Sequence, residues 1–181
     1  ALEVLMNLLD SHDTERIITK IGFGNTEAVP LHERPTLELT GKELEDTIQK
    51  LKIASFIQFT LPGIPSIYYG DEIGMQGFRD PYNRKTFSKK EINEEIFTHY
   101  KALTAFRTEY KEDFKGNFNV VYENGGCLVF QRESLLCAVN MNDNTEYIEG
   151  LHGKQIFASH KTRNHPNGIL VPANGFAAYQ I

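Results

Sequence analysis

The polar residues most able to do chemistry follow directly on an apolar run. Val4, Leu5, Met6, Leu8 and Leu9 lead into Asp10-Ser11-His12-Asp13-Thr14-Glu15-Arg16. A carboxylate such as Asp13 accepts hydrogen bonds from hydroxyl groups, and an imidazole such as His12 can donate to the same ligand. Arg16, one helical turn on, can orient the cluster. The same residues also suit a plainer arrangement. Asp13 can be the N-cap of a helix opening at Thr14, with His12 at the surface and Arg16 in a structural ion pair. A second charged group, Asp80-Pro81-Tyr82-Asn83-Arg84, carries a carboxylate and a guanidinium in one loop. Asp71 and Glu72 are adjacent carboxylates, but neighbouring side chains project apart, so they are not read as a catalytic pair.

The elements that position these groups follow from hydrophobic period. Residues Glu3 to Leu9 predict a buried strand, since buried parallel strands read as short apolar runs and chemistry collects at their C-terminal ends. Thr14 to Thr19 predicts a helical turn, and Lys20 to Leu39, broken by Gly22, Gly24, Pro30 and Pro35, a long loop. Thr40 and Glu43 form a capping-box pattern ahead of an apolar face at Leu44, Ile48, Leu51, Ala54 and Ile57. Pro62-Gly63 ends that helix. Ile64 to Tyr69 is the next buried strand, and Gly70 to Phe87 is irregular. Ser88 and Glu91 give a second capping-box pattern before Ile92, Ile96, Tyr100, Leu103 and Phe106. Strand-helix-strand-helix implies a parallel sheet with right-handed crossovers.

The pattern changes near Tyr110. Short strand-like segments follow, with a hairpin predicted around Asn124-Gly125-Gly126 and another joining Leu135–Met141 to Glu146–Ile148 around Asn142-Asp143-Asn144. Further strands are predicted at Gln155–Ala158, Gly168–Val171 and Phe176–Ile181, which makes an antiparallel sandwich.

The stretch Leu61-Pro62-Gly63-Ile64-Pro65-Ser66-Ile67-Tyr68-Tyr69-Gly70-Asp71-Glu72, taken with Ser11-His12-Asp13-Thr14-Glu15-Arg16, resembles the end of the catalytic barrel in the α-amylase superfamily of retaining glycosidases. There an HD-x-x-R strand comes seventh and G-x-P-x-I-Y-Y-G-D-E forms the eighth. Ser11 before the HD pair is most similar to the neopullulanase and cyclomaltodextrinase branch, and Asp80-Pro81-Tyr82-Asn83-Arg84 resembles that branch's D-P-x-x-R loop. The resemblance implies the last two β/α units of a TIM (β/α)8 barrel over residues 1–110 and a C-terminal β-sandwich domain over 111–181. It implies that Asp13 and His12 stabilise the transition state, and that Asp80, Arg84 and Arg16 serve substrate binding. It implies an α-glucan oligosaccharide substrate. The family's nucleophile and acid/base lie on earlier strands, so the expectation is a C-terminal portion that is inactive alone. An α-1,6-glucosidase or glucanotransferase of the same family, or a non-catalytic carbohydrate-binding relative, is the alternative.

Composition bounds the partners. The chain has 181 residues, 40% hydrophobic and 24% charged, as globular domains do. A net charge of -5 argues against nucleic acid or an anionic membrane as partner. No apolar stretch is long enough to span a bilayer. Cys127 and Cys137 fit no metal motif and are expected as buried free thiols, which mildly favours a reducing compartment such as the cytoplasm. No cofactor is expected from these residues; calcium, where relatives hold it, is expected mainly in parts outside this chain. The apolar faces of the first strand and helix suggest self-association. His32 and His99 are expected to be structural or surface residues.

Overall fold

The computed structural model describes residues 4–163 and 165–181. It divides into two units, one of Met6–Gln58 with Pro65–Ala102 and one containing Phe59–Ile64 and Leu103–Ile181.

In the first unit the apolar run forms a short strand, β1 (Met6–Leu8). It is not buried as the sequence suggested: Met6 is 63% and Leu8 52% exposed. Glu3 lies outside the described residues. Helix α1 spans Ile17–Phe23, starting later than Thr14 and cutting into the expected loop. Helix α2 spans Gly41–Thr60. Its apolar face is wider than the predicted stripe, since Ile48, Leu51, Ile53 and Phe56 are all buried. It ends before Pro62, which cannot continue a helix, and Gly63 takes a positive φ of 112°.

Strand β2 (Ile64–Ser66) pairs with β1. Gln58 fastens both strands to α2, its Nε2 donating to the carbonyls of Asn7 at 2.9 Å and Ser66 at 2.8 Å. Helix α3 spans Glu94–Glu109. It is capped by Asn93, whose Oδ1 accepts the Ile96 amide at 3.1 Å. The predicted box at Ser88 and Glu91 lies ahead of the helix; Asn93 wins because it stands where its carboxamide meets the amide three positions on. Ile96, Tyr100, Leu103 and Phe106 are buried as their spacing required.

The second unit holds a five-stranded sheet in the order β3-β4-β5-β9-β7 and a two-stranded ribbon of β6 and β8. The strands are β3 (Asn119–Asn124), β4 (Cys127–Arg132), β5 (Leu135–Asn140), β6 (Glu146–Glu149), β7 (Lys154–Ala158), β8 (Gly168–Val171) and β9 (Gly175–Gln180). The pairings among these strands are antiparallel. Asn124 faces Cys127 across Gly125-Gly126, and both glycines take positive φ as a tight hairpin requires.

The second predicted hairpin does not form. β5 pairs with β4 and β9, and β6 pairs with β8. Every residue of β5 is buried, so it must be central and flanked on both sides. The turn from β4 into β5 is Glu133-Ser134, with Glu133 at φ 46°. It carries no glycine and is held from outside. Ser134 donates its amide (3.0 Å) and hydroxyl (2.5 Å) to Asp113 Oδ1, and Glu133 Oε1 accepts the Asn117 amide at 2.9 Å.

The core of this sheet packs Cys127, Val129, Leu136, Ala138, Ala177 and Tyr179 with Ile148, Ile169 and Val171 of the ribbon. Both cysteines are free and buried, and burial pushes their thiols up to about 11 and 12.

Candidate active site

The turn after β1 is organised by its own polar groups. Ser11 accepts the Thr14 amide on its carbonyl (3.3 Å) and the Asp13 amide on its hydroxyl (3.2 Å), and its amide donates to the Thr14 hydroxyl at 3.0 Å. Asp13 is not the cap of α1. The N-cap position is Arg16, and the first helical amide, that of Ile17, is taken by Asp10 Oδ2 at 2.6 Å. With Asp10 turned inward, His12 and Asp13 face solvent, their side chains 60% and 74% exposed.

The loop carrying Asp80 and Arg84 lies against this turn. Arg84 Nε meets Asp80 Oδ1 at 2.9 Å and its Nη2 approaches Asp13 Oδ1 at 3.9 Å. His12 Nε2 stands 3.3 Å from Asp13 Oδ2. The Asp13 carboxylate therefore has an imidazole beside one oxygen and a guanidinium beside the other, with open surface around both. Exposed ion pairs of this kind contribute about 0–1 kcal/mol. They are suited to being exchanged for ligand hydroxyls.

Arg16 lies elsewhere. It is buried, its guanidinium 4.2 Å from the Tyr68 ring centroid and 4.6 Å from that of Tyr69, and it donates to the Tyr69 carbonyl. Its Nη1 is 3.4 Å from Asp71 Oδ1. Four of the five sequence-predicted residues thus share one surface, and Arg16 sits in the packing behind the strand end.

Asp71 is buried beside Asp10. Burial, then the hydrogen bond and charge of Asp10, raise its carboxyl far above the usual range, although Arg16 pulls the other way. Burial raises Asp10 as well. This pair was not legible as such, because its members stand at opposite ends of the segment and each reads locally as a turn residue. Glu72, its sequence neighbour, turns back to accept the Gly70 amide at 2.7 Å.

Asn83 and Gly77 also went unread. Asn83 Nδ2 donates to the His12 and Thr14 carbonyls. The Gly77 carbonyl accepts the Arg16 amide at 2.9 Å, and the Gly77 amide donates to Thr19 Oγ1 at 2.8 Å. A cleft of about 370 Å³ opens among Glu38, Leu44, Met75, Gln76, Lys85 and Asn93, crossed by a Lys85–Glu38 ion pair of 2.9 Å. None of His12, Asp13 or Asp80 lines it.

His99 is a buried structural residue, hydrogen-bonded to Ser55 Oγ at 2.8 Å, and burial lowers its pKa to about 4. His32 is exposed, 3.7 Å from Glu33. Among the described residues no group of three or more His, Cys, Asp or Glu is placed to hold a metal ion.

Residues 2–117 match the family described as "Alpha amylase, catalytic domain". An amylopullulanase of Thermoanaerobacter thermohydrosulfuricus is 37% identical over 127 residues, covering 70% of this chain and 8% of the relative. A cyclomaltodextrinase of Thermoanaerobacter pseudethanolicus is 30% identical over 175 residues, covering 92% of this chain and 26% of the relative. The type III pullulan hydrolase from Thermococcus kodakarensis superposes with a TM-score of 0.71 at 26% identity, over 97% of this chain and 28% of that one. The chain thus spans about a quarter or less of the curated relatives' own length. The family match covers the turn bearing Asp13, the Tyr68–Glu72 segment and the Asp80–Arg84 loop alike, and this chain belongs to the alpha-amylase family.

Proposed function

We propose that the chain is the C-terminal portion of a larger retaining α-glucan hydrolase of the neopullulanase/cyclomaltodextrinase type. In this reading residues 1–110 are the last two β/α units of the (β/α)8 barrel and 111–181 are a β-sandwich domain. One observation carries it: an exposed carboxylate, Asp13, flanked by His12 and Arg84, in a chain matched to the family's catalytic domain. Relatives named cyclomaltodextrinase and amylopullulanase support maltodextrins, cyclodextrins or pullulan as substrate.

A retaining glycosidase uses a nucleophile and an acid/base about 5 Å apart, and gains several kcal/mol from groups that grip sugar hydroxyls more tightly as the ring flattens. Asp13 and His12 do the gripping. Only interactions stronger in the transition state raise the rate, and a charged acceptor facing hydroxyls that become more acidic meets that condition. Asp80 and Arg84 contact a sugar further from the cleaved bond. Arg16 orients the strand end from behind, through the Tyr69 carbonyl and Asp71. The two bond-breaking carboxylates belong to earlier strands of the larger enzyme. The chain alone is therefore inactive, needs no cofactor for the role described, and self-associates through exposed apolar residues such as Met6 and Leu8. A sedimentation coefficient that holds at the monomer value over a wide concentration range would rule out the last point.

The test is hydrolysis of cyclodextrin, pullulan and starch by this chain, by the full-length enzyme and by its Asp13→Asn variant. The expected result is a silent chain, an active enzyme and a variant slowed by about 10²–10³-fold. Turnover by the chain alone overturns the reading.

A further inference from the structure

We propose that Asn83 is a positioning residue for the Asp13 site, an inference that rests on the role given to Asp13 above. Asn83 is fully buried. Its Nδ2 donates to the His12 carbonyl at 2.9 Å and the Thr14 carbonyl at 2.7 Å, the carbonyls of the residues immediately before and after Asp13. Two carbonyl oxygens can be faced only by a donor, so the orientation of the carboxamide is determined. Its Oδ1 has no hydrogen-bond partner among the described residues, so nothing competes for that orientation.

The clamp also sets where Arg84 stands. Asn83 and Arg84 are consecutive in one short turn, Tyr82–Arg84. The residue that holds the backbone of Asp13 is therefore covalently next to the residue that meets its carboxylate. The loop has little slack at its other end. Gly77 is tied to Arg16 and Thr19, and it packs so closely that a Cβ there would lie 2.3 Å from the Tyr82 carbonyl oxygen. The His12–Asp13 and Arg84–Asp13 contacts are themselves exposed and weak, and they do not fix their own geometry. The buried amide does.

The experiment uses the full-length enzyme and a double-mutant cycle. Asn83→Asp is nearly isosteric and, when ionised, presents oxygen to both carbonyls. Asn83→Ser keeps one donor and serves if the aspartate variant does not fold. Circular dichroism first fixes a temperature at which every variant is folded. There kcat on maltodextrin is expected to fall about 30–100-fold, the scale of a misplacement of about 1 Å, with KM within about threefold. In an Asp13→Asn background the same substitution is expected to lower kcat by less than about threefold, because the group it positions is gone. An equal factor in both backgrounds overturns the proposal, since Asn83 would then act on folding or on another group. Unchanged kcat in Asn83→Asp beside an inactive Asp13→Asn overturns the positioning role and leaves the Asp13 assignment standing. Unchanged kcat in Asp13→Asn overturns both.

Discussion

Arg132 offers the sharpest test of how the second unit is held together. It is buried to 1% exposure, yet its guanidinium meets backbone carbonyls on every side. Nη1 donates to Thr60 at 2.8 Å, Nε to Asn117 at 3.1 Å, and Nη2 to Phe114 and, at 3.3 Å, to Gly116. Thr60 is the last residue of α2, so this cation lies where the helix dipole is negative and where carbonyls lack helical partners. Arg107 stands nearby on the same duty. It donates to the Phe59 carbonyl at 2.5 Å and the Gly63 carbonyl at 2.7 Å. Burial, and then the charge of Arg132, lower its pKa to about 10. Replacing Arg132 by Met keeps much of the volume and removes every donor. A hydrogen bond from a charged donor contributes about 1.5–3 kcal/mol. Four of them do not add, because losing the charge also removes its desolvation penalty and eases the repulsion with Arg107. The expected net loss is about 3–5 kcal/mol, since each buried carbonyl left without a donor costs about 1–3 kcal/mol and the lost desolvation penalty offsets part of the sum. For a chain of this size that lowers Tm by about 10 °C. Urea unfolding of the second unit, followed by far-UV circular dichroism, reads it directly. Arg132→Lys is expected to recover about 1 kcal/mol at most, since a point ammonium cannot reach carbonyls in four directions. If Arg132→Met lies within about 1 kcal/mol of the unsubstituted chain, the carbonyl-capture argument fails.

Two further outcomes follow from buried groups in the first unit. His99 has a pKa lowered to about 4 by burial, so the unfolded chain takes up its proton first as pH falls. Stability is therefore full above about pH 6.5 and is lost downward toward pH 4, by about 2 kcal/mol at pH 5; urea midpoints at pH 7 and 5 should separate accordingly, and less so in His99→Gln. Gly77→Ala forces a Cβ against the Tyr82 backbone, 2.3 Å from its oxygen and 2.8 Å from its carbonyl carbon. Backbone gives way less readily than a side chain, so thermal melting should show a loss of about 1–3 kcal/mol.

The sequence made some layers of this molecule easy to read. Helix α3 follows from Ile96, Tyr100, Leu103 and Phe106 because a buried helical face repeats with the helical period. The hairpin at Gly125-Gly126 follows from the φ values that only glycine takes freely. The exposed charged residues of the site were legible for a different reason. His12, Asp13, Asp80 and Arg84 carry the motifs of the α-amylase family, and the structure brings all four to one surface. The failures share a cause as well. β1 reads as buried because apolar composition reports what a strand is suited to touch, and not what covers it here. The β5–β6 hairpin failed because Asn142-Asp143-Asn144 looks like a turn between paired strands. It is instead a bend, with Asn140 Nδ2 donating to the Asn144 carbonyl at 2.9 Å, that leads β6 to β8.

What escaped the sequence is the set of side-chain contacts that satisfy irregular backbone from a distance. Asn83 reaches two carbonyls of the Asp13 turn, and Gln58 reaches carbonyls at Asn7 and Ser66. Arg16 takes the carbonyl of Tyr69, and Arg132 takes four from two segments. A chain that leaves regular structure near a buried surface must find partners for its peptide groups, and these partners are necessarily long-range. A donor placed for that duty shows no period and no turn signature at its own position. It reads as one more polar residue. The turn that presents His12 and Asp13 is one such irregular stretch. The local Ser11 and Thr14 hydrogen bonds shape it, and a residue about seventy positions away, Asn83, ties the carbonyls before and after Asp13 from outside.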